Sequence, residues 1–261
     1  MPEGPSIVLL KEAAAGFAGR KILRAEGNAK IDMAVLRNRQ VVALRSWGKH
    51  FLIELPTRTI RIHFLLFGSY RIDERRDMAP RLSLGFAQGR ELNFYSCSVQ
   101  LIEAPLNEVY DWRTDVMSDA WDPALAHERL AKMPQALACD ALLDQDVFAG
   151  VGNIIKNEVL FRIRVHPLAR ICDLPAKVLA ELVREARQYS FDFLEWKRRF
   201  VLREHWLAHR KRICPRCAIP FIRAKLGQRE RWAYYCERCQ RRGLNVVAGA
   251  ERAWCTVRPR R

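Results

Sequence analysis

Two Cys-x-x-Cys pairs near the end of the chain, Cys214-Pro-Arg-Cys217 and Cys236-Glu-Arg-Cys239, constrain its folding most tightly. Each pair can offer two thiolates to one metal ion from a tight turn, and the eighteen residues between the pairs suit a β-hairpin. The spacing predicts a structural zinc ribbon with Cys214, Cys217, Cys236 and Cys239 as ligands to one Zn2+. Four thiolates close the coordination sphere, so such a metal holds shape and leaves no position for a reacting water. A pair of disulfides is the competing reading. It ranks lower because the remaining cysteines, Cys97, Cys139, Cys172 and Cys255, are scattered as reduced core residues usually are. The hairpin between the pairs carries a basic, glycine-bearing tip, Lys225-Leu-Gly-Gln-Arg229-Glu-Arg231-Trp232, suited to touching phosphates.

Charge points the same way. Lys and Arg total 45 against 29 Asp and Glu, a formal net charge of +16. That excess favours a polyanionic partner, through phosphate neutralisation and counterion release. No apolar run approaches the ~18 residues of a membrane span. The opening Met1-Pro-Glu-Gly-Pro5 has no basic segment followed by an apolar one, so no export signal is read there. The expected compartment is the cytoplasm, at the nucleoid if the source is bacterial.

The start of the chain predicts a helix. Pro5 suits a first turn, Ile7, Val8, Leu9, Leu10 and Phe17 supply an apolar face, and Gly16 and Gly19 are expected to end it. Pro2 and Glu3 then stand just ahead of a helix N-terminus. Met1 precedes a small residue, so its removal is expected, which would expose the secondary amine of Pro2. From about 20 to 105 the segments 40–45, 50–55, 59–63, 81–86 and 99–103 read as strands of an antiparallel sandwich or barrel. Gly48-Lys49 falls between two of them. The run Phe64-Leu-Leu-Phe67-Gly68 reads as buried core or as an exposed loop able to wedge into a base stack.

Residues 106–123 are transitional, and helices follow. Candidates are 124–133, 141–148, a helix over 154–161 with Asn153 as its N-cap, and a long helix over 176–199 capped by Asp173-Leu-Pro175. The long helix carries Val178, Leu179, Leu182, Ala186, Phe193 and Leu194 near helical spacing. A glycine-rich turn, Gly150-Val-Gly-Asn153, that opens a helix can seat a phosphate. His205 and His209 read as structural or nucleic-acid-facing rather than as extra ligands.

The opening Pro2-Glu3-Gly4-Pro5, the Gly48-Lys49 turn, the Gly150-Val-Gly-Asn153 junction and the four-cysteine ribbon occur in the order seen in one family. The chain resembles the bifunctional DNA glycosylases of the formamidopyrimidine-DNA glycosylase / endonuclease VIII family, from residue 2 to Gln240. The resemblance implies an α+β multidomain protein. Residues 1–115 would form an N-terminal helix with a catalytic β-sandwich and 116–205 a helix–two-turn–helix domain. The zinc finger would span 206–241, with a basic tail over 242–261. It implies a monomer acting on damaged DNA, with base excision followed by abasic-site lyase activity.

The same resemblance implies roles. Pro2 would be the nucleophile and Glu3 the proton shuttle. Lys49 would contact phosphate and assist the chemistry. Asn153 would hold a phosphate beside the lesion. Arg231, five residues before Cys236, matches the family's finger arginine, which would bind phosphate near the flipped nucleotide and assist the second elimination, with Arg229 as the fallback. His63 and Arg113 would add backbone contacts. Leu65, Leu66 and Phe67 lie where the family keeps residues that fill the void left by an extruded nucleotide. Leu66 stands in place of the methionine of the purine-directed branch, and Leu65 where the endonuclease VIII branch often has glutamine. The apolar triplet is more similar to the latter branch, so oxidised pyrimidines are the expected substrates. Two other readings remain at this stage: a non-excising protein specific for abasic or single-stranded DNA, and a zinc-ribbon nucleic-acid-binding module.

Overall fold

The computed structural model describes residues 2–242, and the basic tail beyond Arg242, with Cys255, falls outside them. The described chain divides into two compact units, with the boundary between Trp112 and Arg113.

The first unit opens with α1 (Gly4–Ala13), which has proline in its first turn. The helix stops earlier than the glycines suggest. Ala14 ends it, and a 3-10 turn over Ala15–Phe17 follows. The tighter turn puts Phe17 into the core at full burial, and Gly19 then reverses the chain at φ 78°. Eight strands form two antiparallel sheets. One has the order β1 (Arg24–Glu26), β6 (Leu82–Gly85), β7 (Glu91–Tyr95), β5 (Ser69–Ile72). The other runs β2 (Ala43–Trp47), β3 (His50–Leu55), β4 (Arg58–His63), β8 (Ser98–Ile102).

The sandwich core explains the sequence pattern of β3. Phe51, Ile53 and Leu55 pack in the same cluster as Leu82, Leu84, Leu92 and Phe94 of the opposite sheet, with the Phe51 and Phe94 rings 6.0 Å apart. Leu52 faces the other way, yet it too is buried, beneath Leu106 of the short helix α2 (Leu106–Val109), Tyr110 and Trp112. A strand covered on both faces reads as a continuous apolar run rather than an alternation. Ile7 and Leu10 of α1 join the same core as the sheets. Strands β1, β5 and β7 escape the sequence reading because each is short and carries polar or charged residues. The loop between β5 and β6 is pinned by Arg75, which bonds Glu26 and Glu91 at 2.8 Å each.

In the second unit α3 (Pro123–Ala131) is capped by Asp122, whose carboxylate accepts from the N–H groups of Ala124 and Leu125. The helix expected over 141–148 does not form. A short α4 (Ala138–Ala141) precedes it, and 142–148 is a chain of turns. Side chains there compete for the backbone. Asp144 accepts from the Asp146 N–H, and the Gln145 amide bonds the carbonyls of Leu143 and Val151 and the N–H of Gly150. Next come α5 (Asn153–Arg162) and α6 (Ala176–Arg198).

Asp173 does not cap α6. Its carboxylate pairs with Arg170, and Pro175 takes the N-cap position. Leu179, Leu182, Val183, Ala186, Tyr189, Phe193 and Leu194 make the buried stripe of α6, recurring at three- and four-residue steps. The finger hairpin pairs β9 (Ile222–Leu226) with β10 (Arg231–Tyr235). No helix of the described residues is long and apolar enough to cross a membrane.

Candidate active site and nucleic-acid interface

Pro2 and Glu3 lie directly ahead of α1. Glu3 has extended backbone (φ −117°, ψ 171°), and its carbonyl accepts from the N–H groups of Ser6 and Ile7, closing the first turn. Its side chain is only 1% exposed. Carboxylates are seldom buried so fully, and the positive end of a helix favours their charge. Pro2, half-buried, is held next to it by the buried Gly4-Pro5 turn.

Lys49 sits at the tip of the β2–β3 hairpin. Trp47 and His50 are the closing pair, so the loop is the two residues Gly48-Lys49. Gly48 takes φ 53° at the first central position, the place where a two-residue turn of this kind wants glycine. The base of the hairpin is clamped from the side. The Trp47 ring lies 4.8 Å from that of Tyr110, its Nε1 donates to the Asp111 carbonyl at 3.0 Å, and His50 Nδ1 is 3.1 Å from the Tyr110 hydroxyl. Helix α1 packs against β2 and β3, the strands that carry this turn.

His63 stands across the strands from His50, with ring centroids 5.3 Å apart. Burial, reinforced by His63, Arg61 and Lys49, pushes the His50 pKa down to about 3. Burial, with Lys49 and Arg61, also lowers His63. Both shifts favour the neutral imidazole, which still carries one ring N–H.

The apolar run after β4 splits. Phe64 is core, 3% exposed, whereas Leu65, Leu66 and Phe67 are 49%, 50% and 80% exposed. The Gly68 N–H closes the turn on the Phe64 carbonyl at 2.7 Å. A Cβ at Gly68 would lie 2.2 Å from that carbonyl oxygen, so no other residue fits there without moving the turn. Leu65 itself takes φ 53°. Three consecutive exposed apolar side chains on a strained turn are costly in water, which suits a wedge that is covered only when ligand binds.

The second unit carries the remaining residues singled out from the sequence. Arg113 is exposed at its start. Asn153 is not the N-cap of α5. Gly152 caps it with extended backbone, and Asn153 is the first helical residue. Its amide is therefore free of capping duty, and its Oδ1 is buried without a hydrogen-bond partner. A half-turn of the amide puts an N–H at the same point, beside the free N–H groups of the helix start. That is a seat for an anionic oxygen. Arg229 is exposed in the finger turn, and Arg231 is half-buried as the first residue of β10.

The Sγ atoms of Cys214, Cys217, Cys236 and Cys239 all lie within 4.8 Å of one another and could hold a metal ion. Each pair sits on a backbone knuckle. The Ala218 N–H bonds the Cys214 carbonyl at 2.9 Å, and the Gln240 N–H bonds the Cys236 carbonyl at 2.8 Å. Four soft thiol donors in this arrangement fit a tetrahedral thiolate site. Cys97, Cys139 and Cys172 are buried free thiols, and burial raises the pKa values of Cys97 and Cys139 to about 11. His205 stacks on Trp196 at 4.2 Å, and His209 is buried beside Asn157. His209 is thus packed in this unit, whereas His205 stays exposed.

Several residues that shape the site gave no sequence signal. Glu158, fully buried, accepts backbone N–H groups from Leu207, Ala208 and His209, which fixes the chain as it enters the finger. Asp140, Lys156 and Asn157 bond the finger hairpin itself. Their partners are distant in sequence, so only the fold reveals them.

Comparison with known proteins accords with this geometry. Residues 1–97 match the formamidopyrimidine-DNA glycosylase N-terminal domain, and residues 114–189 match the formamidopyrimidine-DNA glycosylase H2TH domain. Endonuclease 8-like 2 of Bos taurus is 34% identical over 200 residues, covering 71% of this chain and 59% of that protein. Endonuclease 8-like 3 of Mus musculus is 30% identical over 209 residues, covering 77% of this chain and 34% of that protein. The chain thus spans less than two thirds of the first relative and about a third of the second. A Lactococcus lactis formamidopyrimidine-DNA glycosylase, solved bound to DNA containing an abasic site, has the same fold. Its TM-score is 0.81 at 20% identity, covering 92% of this chain and 100% of that one. A viral DNA glycosylase aligns with TM-score 0.79 at 21% identity, covering 91% and 99%. With two family domains in order, relatives of the same family and the shared fold, this chain belongs to the formamidopyrimidine-DNA glycosylase / endonuclease VIII family.

Proposed function

We propose that the chain is a DNA repair glycosylase with abasic-site lyase activity, which removes oxidised bases, pyrimidines in preference, and then opens the strand by β,δ-elimination. One observation carries this reading. Glu3, 1% exposed, is held beside Pro2 at the N-terminus of α1. A carboxylate kept from water next to a secondary amine is the pair that imine chemistry at a sugar carbon requires.

With Met1 removed, the Pro2 nitrogen attacks C1′, and the base leaves with the electrons of the glycosidic bond and takes up a proton. Glu3 protonates the sugar ring oxygen as the ring opens to an iminium. The iminium acidifies C2′, so loss of that proton breaks the C3′–O bond, and a second elimination breaks the C5′–O bond. Water then hydrolyses the imine and returns the amine.

Lys49, His63, Arg113, Asn153, Arg229 and Arg231 hold the phosphate backbone. Leu65, Leu66 and Phe67 fill the stack vacated by the extruded nucleotide. Leu65 offers apolar contact to the base left opposite but no hydrogen bond, so this wedge does not read that base's edge. The four cysteines hold one zinc, which fixes the finger. The chain acts as a monomer, in the compartment that holds the DNA.

Base release from duplexes carrying thymine glycol or 8-oxoguanine tests the proposal. Thymine glycol is expected to leave faster by about tenfold or more, the scale on which pocket contacts discriminate between substrates. Faster release of 8-oxoguanine would reverse the assigned preference. Cleavage confined to pre-formed abasic sites would leave a lyase alone, and binding with no cleavage would leave a non-excising DNA-binding protein.

A further inference from the structure

The finger hairpin is fastened to the helices of its own unit at two places, and both lie beside Arg231. The first is the turn between β9 and β10. Asp140 on α4 accepts the Gln228 N–H through Oδ2 at 3.0 Å. Gly227 precedes it at φ 76°, and a Cβ there would lie 2.4 Å from Asp140 Oδ1. The carboxylate therefore occupies the space a side chain at 227 would need. Asp140 Oδ1 is buried with no hydrogen-bond partner. One oxygen makes the hold while the other is left unsatisfied, which is unfavourable for a buried polar atom.

The second is the open edge of β10. In a two-stranded ribbon one edge of each strand lacks a neighbour. Here side chains of α5 supply the missing groups. Lys156 Nζ and Asn157 Nδ2 both donate to the Trp232 carbonyl at 3.1 Å, and Asn157 Oδ1 accepts the Tyr234 N–H at 3.2 Å. The Asn157 amide thus pairs with residues 232 and 234 as a neighbouring strand's peptide would. The same Nδ2 donates to the Asn153 carbonyl at 2.7 Å, so one side chain bridges the first turn of α5 and the finger strand.

Lys156 is 1% exposed and lies in the first turns of α5. A lysine is rarely buried so fully, and the positive end of a helix disfavours a cation. An apolar residue would pack there at lower cost. Among its bonds the ammonium holds the carbonyl of Trp232, the residue that follows Arg231.

We propose that Asp140, Lys156 and Asn157 are positioning residues that fix Arg231 relative to Asn153, so that both grip one stretch of nucleic-acid backbone as a rigid unit. The inference rests on the phosphate roles proposed above for those two residues. Neither Asp140 nor Asn157 touches the substrate; they act through the finger.

The test is a double-mutant cycle on the full-length, metal-loaded chain, with single-turnover cleavage of an abasic-site duplex as the readout. Asp140→Ala is expected to slow cleavage about tenfold or more, since a displacement of about 1 Å can cost up to about a hundredfold. In an Arg231→Ala background the same change is expected to cost less than about twofold, because its effect has already been lost with Arg231. Asp140→Asn keeps an acceptor for Gln228 and is expected to stay within about threefold of the parent.

Metal content and melting temperature accompany each variant. If Asp140→Ala loses its metal, Lys156→Met reads the same coupling. Equal fold losses in both backgrounds, or no loss from Asp140→Ala, would overturn the positioning role alone. A fully active Arg231→Ala protein would overturn the role of Arg231 and this inference with it.

Discussion

Glu3→Gln is expected to slow base release by about a hundredfold to ten-thousandfold, the usual contribution of a positioned proton-transfer group. The change keeps the shape of a side chain that is 1% exposed, and it removes the charge together with the ability to give and take a proton. Affinity for abasic-site DNA is expected to stay within about threefold, because the contacts that hold the strand are elsewhere and a group acting only in the transition state does not set binding. The measurement is single-turnover release of thymine glycol, with the melting temperature as a check on folding. Glu3→Gln protein active to within about tenfold of the parent would remove Glu3 from the chemistry.

The second large effect concerns the metal. The four Sγ atoms within 4.8 Å of one another lie at the base of the finger, where Phe161, Ala208 and Phe221 pack around Cys214 and Cys236 in a small separate cluster. So small a core cannot hold the hairpin by burial alone, and in zinc-finger peptides the metal contributes about 10–16 kcal/mol of folding free energy. Chelation, or Cys236→Ala, is therefore expected to abolish hydrogen-exchange protection across β9 and β10. The sandwich, which has its own core, keeps its protection. DNA affinity is expected to fall with the finger, since the phosphate contacts proposed for Arg229 and Arg231 lose their frame. Intact protection of β9 and β10 in metal-free protein would show that the hairpin stands without the ion.

The ribbon was legible because its spacing admits few alternatives, and the structure brings all four cysteines together. Strands such as His50–Leu55 were legible because burial on both faces forces an apolar run. The short strands were not, since Arg24-Ala-Glu26 and Glu91–Tyr95 owe their pairing to partners rather than to local pattern. The 141–148 segment misled for the opposite reason. Its composition suits a helix, but Asp144 and Gln145 spend their side chains on turn backbone.

At the candidate site the sequence marked Asn153 as a cap, whereas the structure leaves its amide unspent. The Phe64–Phe67 run could be read two ways from composition. Only the Gly68 turn shows that Phe64 goes inward and the next three residues outward. Asp140, Lys156 and Asn157 had no pattern to find, because each acts on backbone more than seventy residues away.

Borohydride reduction would trap the covalent intermediate proposed at Pro2. The purified chain, with Met1 shown by mass spectrometry to be removed, would be mixed with a labelled thymine glycol duplex and reduced. The same would be done with protein in which Met1 is retained. A stable protein–DNA adduct, mapped by peptide sequencing to Pro2, is expected from the processed protein only. An adduct that forms equally well with Met1 in place, or that maps to Lys49, would contradict the proposed intermediate.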